Sequence, residues 1–399
     1  MNISIKIPLF LLSRSLKRGN KWTLGLTVFL MSIAFVNLIF ITSLFNGIVE
    51  GANNQIISTL TGNIYMSPKA GEDFIENPVQ AIGEIEAIPG VVAASSEVIL
   101  PATLSFNSLK GGWNVIAINP EEEKSVTTVS ETIISGRYLT SSDTDAIVLG
   151  KEIAGDVNGN ELSSLKGVAV GDVIQFTYAG AEYPLTVVGI FDATFSATNE
   201  RAFITQKTLT GILPSLEGKA TNILIKTEKT GTEQTTIKAL TDKQIAGRFF
   251  SWKDMSGIME SVTKSFVSIN VLLTFVGILI AATTIFIVIY IEIANKRRSI
   301  GILRAIGLQP GIIAITYITQ AAIFALFGIA LGSLLFVGIV VPYFKAHPFE
   351  LPICKAVMVI DYADYAIRAG VVILVALISG VIPALLITRS RIIEALSGR

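Results

Sequence analysis

Few residues in this sequence have the types and spacing that catalysis or metal binding requires. His347 and Cys354 are the only His and the only Cys, and Glu350 lies between them. Pro348 and Pro352 interrupt the spacing that a helix or hairpin would give to metal ligands, and a single Cys forms no disulfide within the chain. We therefore predict no metal site here and expect a solvated loop.

Recognisable catalytic motifs are absent from the sequence as well. It contains no G-x-x-x-x-G-K-[ST] phosphate loop, no H-E-x-x-H metal helix and no G-x-S-x-G turn. Paired acids occur, for example Glu121 with Glu123 and Asp143 with Asp145, but in turn-like sequences where solvated carboxylates are the usual state. We predict that the chain is not an enzyme, has no catalytic residues and needs no cofactor.

Four long stretches without a charged residue dominate the chain. They are residues 22–45, 266–291, 311–341 and 369–388. Each has at least about 20 residues, which at ~1.5 Å per helical residue spans the ~30 Å apolar core of a bilayer. We therefore predict four transmembrane helices. Because these stretches hold no Asp, Glu, Lys or Arg, the ion or proton relay of a secondary transporter is disfavoured.

Basic and acidic residues are sorted along the chain. Residues 1–22, 292–310 and 389–399 together hold 12 basic and two acidic residues, whereas residues 50–264 hold 16 basic and 26 acidic ones. By the positive-inside rule, both termini and the 292–310 loop are cytoplasmic, and the long polar segment is extracytoplasmic. A cleavable signal peptide is the alternative reading of the N-terminus, but its apolar region is typically ~7 to 15 residues, much shorter than the run here. We expect a multi-pass protein of the cell (inner, cytoplasmic) membrane.

The long polar segment predicts an α+β domain. Runs of β-branched and aromatic residues, bounded by Gly, Pro, Asn or Asp, predict strands at residues 64–66, 98–106, 113–118, 146–149, 173–178, 185–191, 202–205 and 222–226. Apolar residues at a spacing of three predict a helix over residues 78–88, which stops at Pro89 and Gly90.

The domain is flanked by sequences that could form a helical stalk. Before the second span, apolar residues recur with helical spacing at Met255, Ile258, Met259, Val262 and Phe266. A matching stripe could follow the first span, although Gly47 and Gly51 weaken the helical prediction there. The simpler interpretation is that both stripes only cover the base of the domain. Within the third span, Gly328 and Gly332 form a small-xxx-small pair that would let another helix approach closely.

The most informative short motif is NKRRSIGILRAIGL at residues 295–308, directly after the second span. A basic interfacial loop would satisfy the positive-inside rule by itself. The segment is too apolar for a free loop, however, because Ile300, Leu303, Ile306 and Leu308 recur through it. A short helix under the membrane, offering an apolar face with Arg298 and Arg304 to a soluble partner, fits better.

Residues 296–307 resemble the (K/R)-x-x-E-I-G-(I/L)-L-R-A-(I/L)-G signature of the FtsX-like permeases, the membrane subunits of ABC systems such as LolC, LolE and MacB. The resemblance continues over most of the chain, at IPGV (88–91), SGR (135–137) before IVLG (147–150), VGD (170–172), VGIF (188–191) and FSW (250–252). Each piece is weak, but their order together with the four spans is specific.

The resemblance implies a chain organisation. It consists of a cytoplasmic amphipathic segment (residues 1–21), transmembrane helix 1 (22–46), an extracytoplasmic α+β domain with its stalk (47–264) and transmembrane helix 2 (265–291). A cytoplasmic coupling helix (292–310), transmembrane helix 3 (311–342), a short extracytoplasmic loop (343–368), transmembrane helix 4 (369–388) and a cytoplasmic tail (389–399) complete it. The fold class is thus an α-helical membrane protein with a large α+β domain between its first two helices.

The resemblance also implies partners and a site. The partners would be a separate ABC ATPase subunit in two copies, a second permease copy or related permease, membrane lipids and an extracytoplasmic adaptor or cargo protein, with no nucleic acid. The ATPase-coupling role falls on the motif residues Arg297, Arg298, Ile300, Gly301, Leu303, Arg304, Ala305 and Gly307. Ser299 stands where the family pattern has Glu, so a salt bridge from that acid is not expected.

The function implied is that of a permease subunit that passes cytosolic ATP-driven motion to the extracytoplasmic domain, exporting or extracting a lipoprotein, lipid, peptide or hydrophobic drug. The alternative is a non-transporting FtsX-like transmitter that controls an extracytoplasmic partner, although the domain in division FtsX proteins is much smaller than the polar segment here. A membrane-tethered binding protein without an ATPase is a third possibility, but it leaves the cytosolic motif unexplained.

Overall fold

The computed structural model describes residues 21–156, 164–255, 257–351 and 354–389. The chain divides into two compact units. The α+β unit comprises residues 50–262 and 350–355, and the helical unit comprises the remainder. The predicted N-terminal amphipathic segment, and the tail beyond residue 389, lie outside the described residues. The same is true of the side chains of the stripe at residues 255–266.

Thirteen α-helices are present in the described part of the chain, in the order α1 Lys21–Ile56, α2 Pro78–Glu86, α3 Pro120–Val126, α4 Lys151–Ala154, α5 Ser196–Asn199, α6 Gln206–Ile212, α7 Glu233–Asp242, α8 Trp252–Met255, α9 Gly257–Asn295, α10 Arg297–Ala305, α11 Pro310–Leu335, α12 Val341–Ala346 and α13 Tyr362–Arg389. A π-helical turn, Ile57–Thr61, follows α1, and another, Phe336–Val340, joins α11 to α12. Four of these helical segments are long and apolar enough to cross a membrane, which confirms the predicted set of four.

The strands are β1 Ile64–Ser67, β2 Ile75–Glu76, β3 Val91–Phe106, β4 Leu109–Ile118, β5 Ile133–Gly136, β6 Ala146–Gly150, β7 Val173–Tyr178, β8 Ala181–Phe191, β9 Arg201–Thr205, β10 Lys219–Ala220, β11 Asn222–Thr227, β12 Arg248–Ser251, β13 Phe349–Leu351 and β14 Cys354–Ala356. Strands and helices are interspersed through residues 62–251, which confirms the predicted α+β class of this segment. The predicted loop between the last two spans contains the β13–β14 pair.

One half of the α+β unit is a four-stranded antiparallel sheet with strand order β12-β1-β11-β3. Along the chain these elements follow a βαββαβ pattern, with α2 between β1 and β3 and α7 between β11 and β12. The two helices and the sheet share one apolar core, formed by Ile64, Met66, Ile82, Ile85, Ile223, Ile225 and Leu240. The remaining elements of the unit are inserted between β3 and β11.

The inserted half is a closed barrel. Strand β3 pairs with β11 through residues 91–97, then with β4 through residues 97–106 and with β7 through residues 103–105. From β4 the pairing continues through β9, β6 and β8 to β7, which pairs with β3. The closed ring therefore has six strands, with β3 as one of them. Closure leaves these strands without a free edge along the paired segments. Alternate side chains fill the interior, among them Leu104, Val115, Ile147, Phe176 and Val187.

The helical unit is packed through small residues and aliphatic side chains. A Cβ atom added at Gly328 of α11 would lie 2.5 Å from the Cβ of Met31, and one at Gly332 would lie 2.9 Å from the backbone oxygen of Ser32. The small-xxx-small pair of α11 therefore faces α1. On the outside of the unit, Leu334 and Phe275 are 70% and 58% exposed. Large apolar side chains that face outward are typical of helices surrounded by lipid.

Candidate functional site

The family-like motif forms α10, a nine-residue helix between the apolar helices α9 and α11. Lys296 is its N-cap, and the amide of Ile300 donates to the Lys296 carbonyl at 3.0 Å. The helix ends in a Schellman motif, in which the amides of Gly307 and Leu308 donate to the carbonyls of Arg304 and Leu303. Gly307 has φ +94°, a conformation that favours glycine. The glycine explains why the chain turns here before α11 begins.

One face of α10 is anchored in the helical unit. Ile300 is 3% exposed and lies in the same apolar core as Ile293 of α9 and Ile313 of α11. Leu303 and Leu308 are half-buried against this core. Burying one isoleucine side chain stabilises by roughly 1.5 to 3 kcal/mol, which favours a fixed position of α10 over a free loop.

The opposite face of α10 is exposed and partly apolar. Arg298, Ile302 and Ile306 follow one another at four-residue intervals, and we call them the exposed stripe. Ile302 is 49% exposed and Ile306 is 72% exposed. Ser299 and Ala305 lie beside them and are also exposed. Aliphatic side chains next to an Arg on a surface suit a protein contact, because a core of apolar area with an Arg anchor is typical of binding hot spots.

The eight motif residues predicted as a site do not share one face. Ile300 and Gly301 point into the helical unit, whereas Arg298, Ala305 and Gly307 are exposed and Arg297, Leu303 and Arg304 are half-buried. The prediction omitted Ile302 and Ile306. Their four-residue spacing from Arg298 was the signal, but apolar residues occur on both faces and the sequence does not say which face is inward.

Polar side chains beneath α10 form a second feature that the sequence did not indicate. Helix α9 continues past the charge-free stretch, so Glu292 lies in its last turn. The Nζ atom of Lys296 lies 2.7 Å from Glu292 Oε1, and Gln320 of α11 donates from Nε2 to Glu292 Oε2 at 2.5 Å. Gln320 is 1% exposed. These three residues, called the polar link below, connect α9, the start of α10 and α11.

Another polar pair lies within the helical unit. Arg368 of α13 is 9% exposed. It donates to Asp364 Oδ2 at 2.7 Å and to Thr274 Oγ1 of α9 at 2.9 Å. Helices α9 and α13 thus carry charged groups just beyond their charge-free stretches, and each of these groups has a partner on a neighbouring turn or helix.

The α+β unit holds a buried polar cluster of its own. Glu97 and Glu123 are 4% and 2% exposed, and burial raises the pKa of both carboxyls. Asn222 donates to Glu97 at 3.1 Å, Tyr138 donates to Glu123 at 2.7 Å, and Arg201 lines the same small cavity. The cluster ties the sheet half to the barrel half, since Glu97 lies where β3 passes from one to the other. Among the described residues, no group of three or more His, Cys, Asp or Glu side chains could hold a metal ion.

Comparison with known proteins assigns both parts of the chain. A family model described as the MacB-like periplasmic core domain matches residues 24–243. A second, described as the FtsX-like permease C-terminal region, matches residues 271–392. The first match alone covers more than half of the chain. A search of curated proteins found no match.

Several solved structures are similar to part of the chain. The extracellular domain of the noncanonic ABC-type transporter YknZ from Gram-positive bacteria is 15% identical, with a TM-score of 0.35 over 47% of this chain and 98% of that one. The periplasmic region of MacB from Actinobacillus actinomycetemcomitans is 10% identical, with a TM-score of 0.35 over 49% of this chain and 91% of that one. A domain of a putative permease protein from Porphyromonas gingivalis is 14% identical, with a TM-score of 0.32 over 47% of this chain and 87% of that one.

The two family models follow one another along the chain: the first covers most of α1 and most of the α+β unit, and the second covers the last three apolar helices from residue 271 onward. Proteins of this kind are multi-pass membrane permeases that work with ABC ATPase partners. The predicted resemblance is confirmed: this chain belongs to the FtsX-like, MacB-type family of ABC transporter permeases.

Proposed function

We propose that this protein is the permease subunit of an ABC transporter in which α10 receives the motion of a separate cytosolic ATPase. The motion is passed to the α+β unit on the other side of the membrane, where it exports or extracts a lipoprotein, lipid, peptide or hydrophobic drug. The observation that carries this proposal is the two-faced geometry of α10, with Ile300 anchored inward and the exposed stripe facing away.

Both faces of α10 are needed for such a role. A docking helix without an anchor would move independently of the helices it is meant to drive. A helix without an exposed apolar and basic face would give the ATPase nothing to bind. The anchoring of Ile300, together with the exposure of Ile302 and of the C-cap residue Ile306, supplies both requirements in one short segment.

The distribution of charge supports the proposed orientation. Residues 1–22, 292–310 and 389–399, of which the second range contains α10, carry 12 basic and two acidic residues, which favours the cytoplasm for α10 and for both termini. The α+β unit then lies outside the cytoplasm. We place the protein in the inner (cytoplasmic) membrane, with a second copy or a related permease completing the membrane unit.

The test compares two matched substitutions in the full-length, tagged protein solubilised in mild detergent. Ile306→Ser removes an aliphatic side chain from the exposed stripe. Val79→Ser does the same at a residue of α2 that is 78% exposed and far from α10 in sequence. If α10 docks an ATPase, Ile306→Ser lowers the ATPase activity that co-purifies at least about tenfold, because truncating a hot-spot side chain costs about 2 kcal/mol or more. Val79→Ser leaves it unchanged.

A second pair tests the charge on the stripe. Arg298→Glu reverses a charge on α10, whereas Lys207→Glu reverses one on an exposed residue of α6. Only Arg298→Glu is expected to reduce the co-purified ATPase activity. If neither stripe substitution changes it while the protein stays membrane-inserted, α10 is not the docking surface. If the wild type recovers no ATPase under conditions that preserve ABC complexes, the proposed function is wrong.

A further inference from the structure

Glu292 and Gln320 place a charged hydrogen bond between two apolar helices. Glu292 is one turn from the end of α9, and Gln320 lies ten residues into α11, about 15 Å along its axis at 1.5 Å per residue. The contact between Gln320 Nε2 and Glu292 Oε2 is 2.5 Å long. Such a charge-assisted bond is strong where water is scarce, and one buried group left without its partner is costly there.

Gln320 is oriented for this acid. Its side chain is 1% exposed, and its amide nitrogen donates to Glu292. Its amide oxygen has no hydrogen-bond partner among the described residues. A hydrogen bond from a glutamine in one apolar helix to an acid on the neighbouring helix favours one register of the two helices.

Lys296 connects the same acid to α10. Its ammonium group lies 2.7 Å from Glu292 Oε1, and its carbonyl accepts the first backbone hydrogen bond of α10, which the amide of Ile300 donates. Ile300, Leu303 and Leu308 also hold α10 in the helical unit, through apolar contacts. Apolar contacts are not directional, so they allow small rotations and sliding. The hydrogen bonds of the polar link are directional, so they restrict such rotations and sliding.

We propose that Glu292, Lys296 and Gln320 are positioning residues that make α10 and α11 move as one body. This inference rests on the proposed docking of an ATPase at α10, and it names the route by which that motion enters the membrane helices. Glu292 is the centre of the link, because each of its two oxygens accepts from a different element. None of the three residues belongs to the exposed stripe, so the link can be broken without altering the docking surface.

A charge-exchange cycle tests the link in the full-length chain. Glu292→Gln removes the acid, and Gln320→Glu places two carboxylates opposite each other. The double variant Glu292→Gln/Gln320→Glu restores one acid and one amide in reversed positions, with the amide at position 292 still able to accept from Lys296. Thr319→Val is the matched control, since Thr319 is a half-buried neighbour of Gln320 on the same helix and its hydroxyl donates to the carbonyl of Ile315, within α11.

The first readout is a distance within the helical unit that requires no ATPase. Spin labels on cysteines at Ser299 of α10 and Leu326 of α11, both exposed, are introduced in a Cys354→Ser background and measured in lipid nanodiscs. We expect a narrow distance distribution in wild type and Thr319→Val. Each single link variant should be at least about twice as broad, and the double variant narrow again. If the single variants are as narrow as wild type, or if the double variant is the broadest, the link does not exist.

The second readout separates coupling from docking. Labels at Leu272 of α9 and Leu326 of α11 report movement between these helices when a captured ATPase is trapped with ATP and vanadate. Single link variants should capture the same amount of ATPase within about twofold but lose at least half of the trapping-induced shift, and the double variant should recover it. An unchanged shift in the single variants would overturn the proposal. If wild type captures no ATPase, the proposed function fails, and the distance measurement alone decides whether the link exists.

Discussion

The barrel half of the α+β unit and the helical unit differ in where their large apolar side chains lie. In the barrel, large side chains such as Phe176 and Leu104 are fully buried inside a ring of paired strands. In the helical unit, glycines lie at the helix contacts, and large side chains such as Leu334 and Phe275 face outward. The barrel is apolar inside, whereas the helical unit is also apolar outside.

This difference is the one expected between a domain surrounded by water and helices surrounded by lipid. Burial of apolar surface stabilises the barrel because water is the alternative environment. For helices in lipid, the surroundings are as apolar as the interior, so close backbone approach and a few buried polar contacts must hold the helices together. The Gly328 and Gly332 contacts supply the first, and the Glu292–Gln320 bond supplies the second.

The largest effect is expected from a cavity in the barrel. Phe176→Ala removes a ring that is fully buried and contacts Tyr178 and Tyr183, so the free energy of unfolding should fall by about 3 to 5 kcal/mol. Urea unfolding of the full chain in detergent, followed by the fluorescence of the buried Trp113 and Trp252, measures it. Val173→Ala, on the same strand but 51% exposed, should change stability by less than about 1 kcal/mol. Equal effects of the two substitutions would mean that the barrel interior is not closely packed.

In the helical unit, adding a single carbon atom at a helix contact should lower stability, as removing atoms does in the barrel. Gly328→Ala places a methyl group 2.5 Å from Met31 Cβ, so α1 and α11 must separate. Overpacking of this kind costs about 1 to 3 kcal/mol. Gly338→Ala is the control, because a Cβ there meets nothing within 4 Å. The thermal midpoint in detergent should fall for Gly328→Ala only. If both variants behave like wild type, this helix contact is looser than the structure has it.

The sequence predicted one kind of packing better than the other. Strand-like runs at residues 98–106, 113–118 and 173–178 fall on β3, β4 and β7, because β-branched and aromatic runs bounded by turn residues are visible in one dimension. Closure of the barrel was not predicted. It depends on β3 being long enough to pair with β11 at one end and with β4 and β7 at the other, and its first residues, Val91–Ser96, do not resemble the second part.

Gly47 shows why close approach is hard to predict. In the sequence it weakened the expectation of a helix beyond the first span, yet α1 continues through it to Ile56. A Cβ at this position would overlap the carbonyl oxygen of Val357, so the glycine makes room for another backbone within the helical unit. The motif residues show the same limit. Their resemblance to a family located α10, but only the fold distinguishes Ile300, which is buried, from Ile302 and Ile306, which are exposed.

The α+β unit also has ion pairs in contact with water. Breaking one of them should give the smallest change in stability of the substitutions compared here. Arg137 donates two hydrogen bonds of 2.7 Å to Asp143, and these bonds lower the pKa of that carboxyl from 3.8 to about 2. Asp143 also accepts from the backbone amide of Thr140 at 2.8 Å. At Glu123, by contrast, burial raises the pKa of the carboxyl. As pH rises, ionisation of Asp143 therefore favours the folded state, whereas ionisation of Glu123 disfavours it.

Asp143→Asn should lower the free energy of unfolding at pH 7 by only about 1 kcal/mol, because the side chain of Arg137 is 51% exposed and water screens the pair. The folded-state pKa is depressed, so the wild-type advantage is complete above pH 3.8 and is lost as pH falls through about 2. Urea unfolding of both proteins between pH 7 and pH 2 should give curves that converge at the acid end. Asp145→Asn, at an exposed neighbour, serves as the control and should track wild type throughout. A difference between wild type and Asp143→Asn that stays constant down to pH 2 would show that the Asp143 charge is not what stabilises this turn.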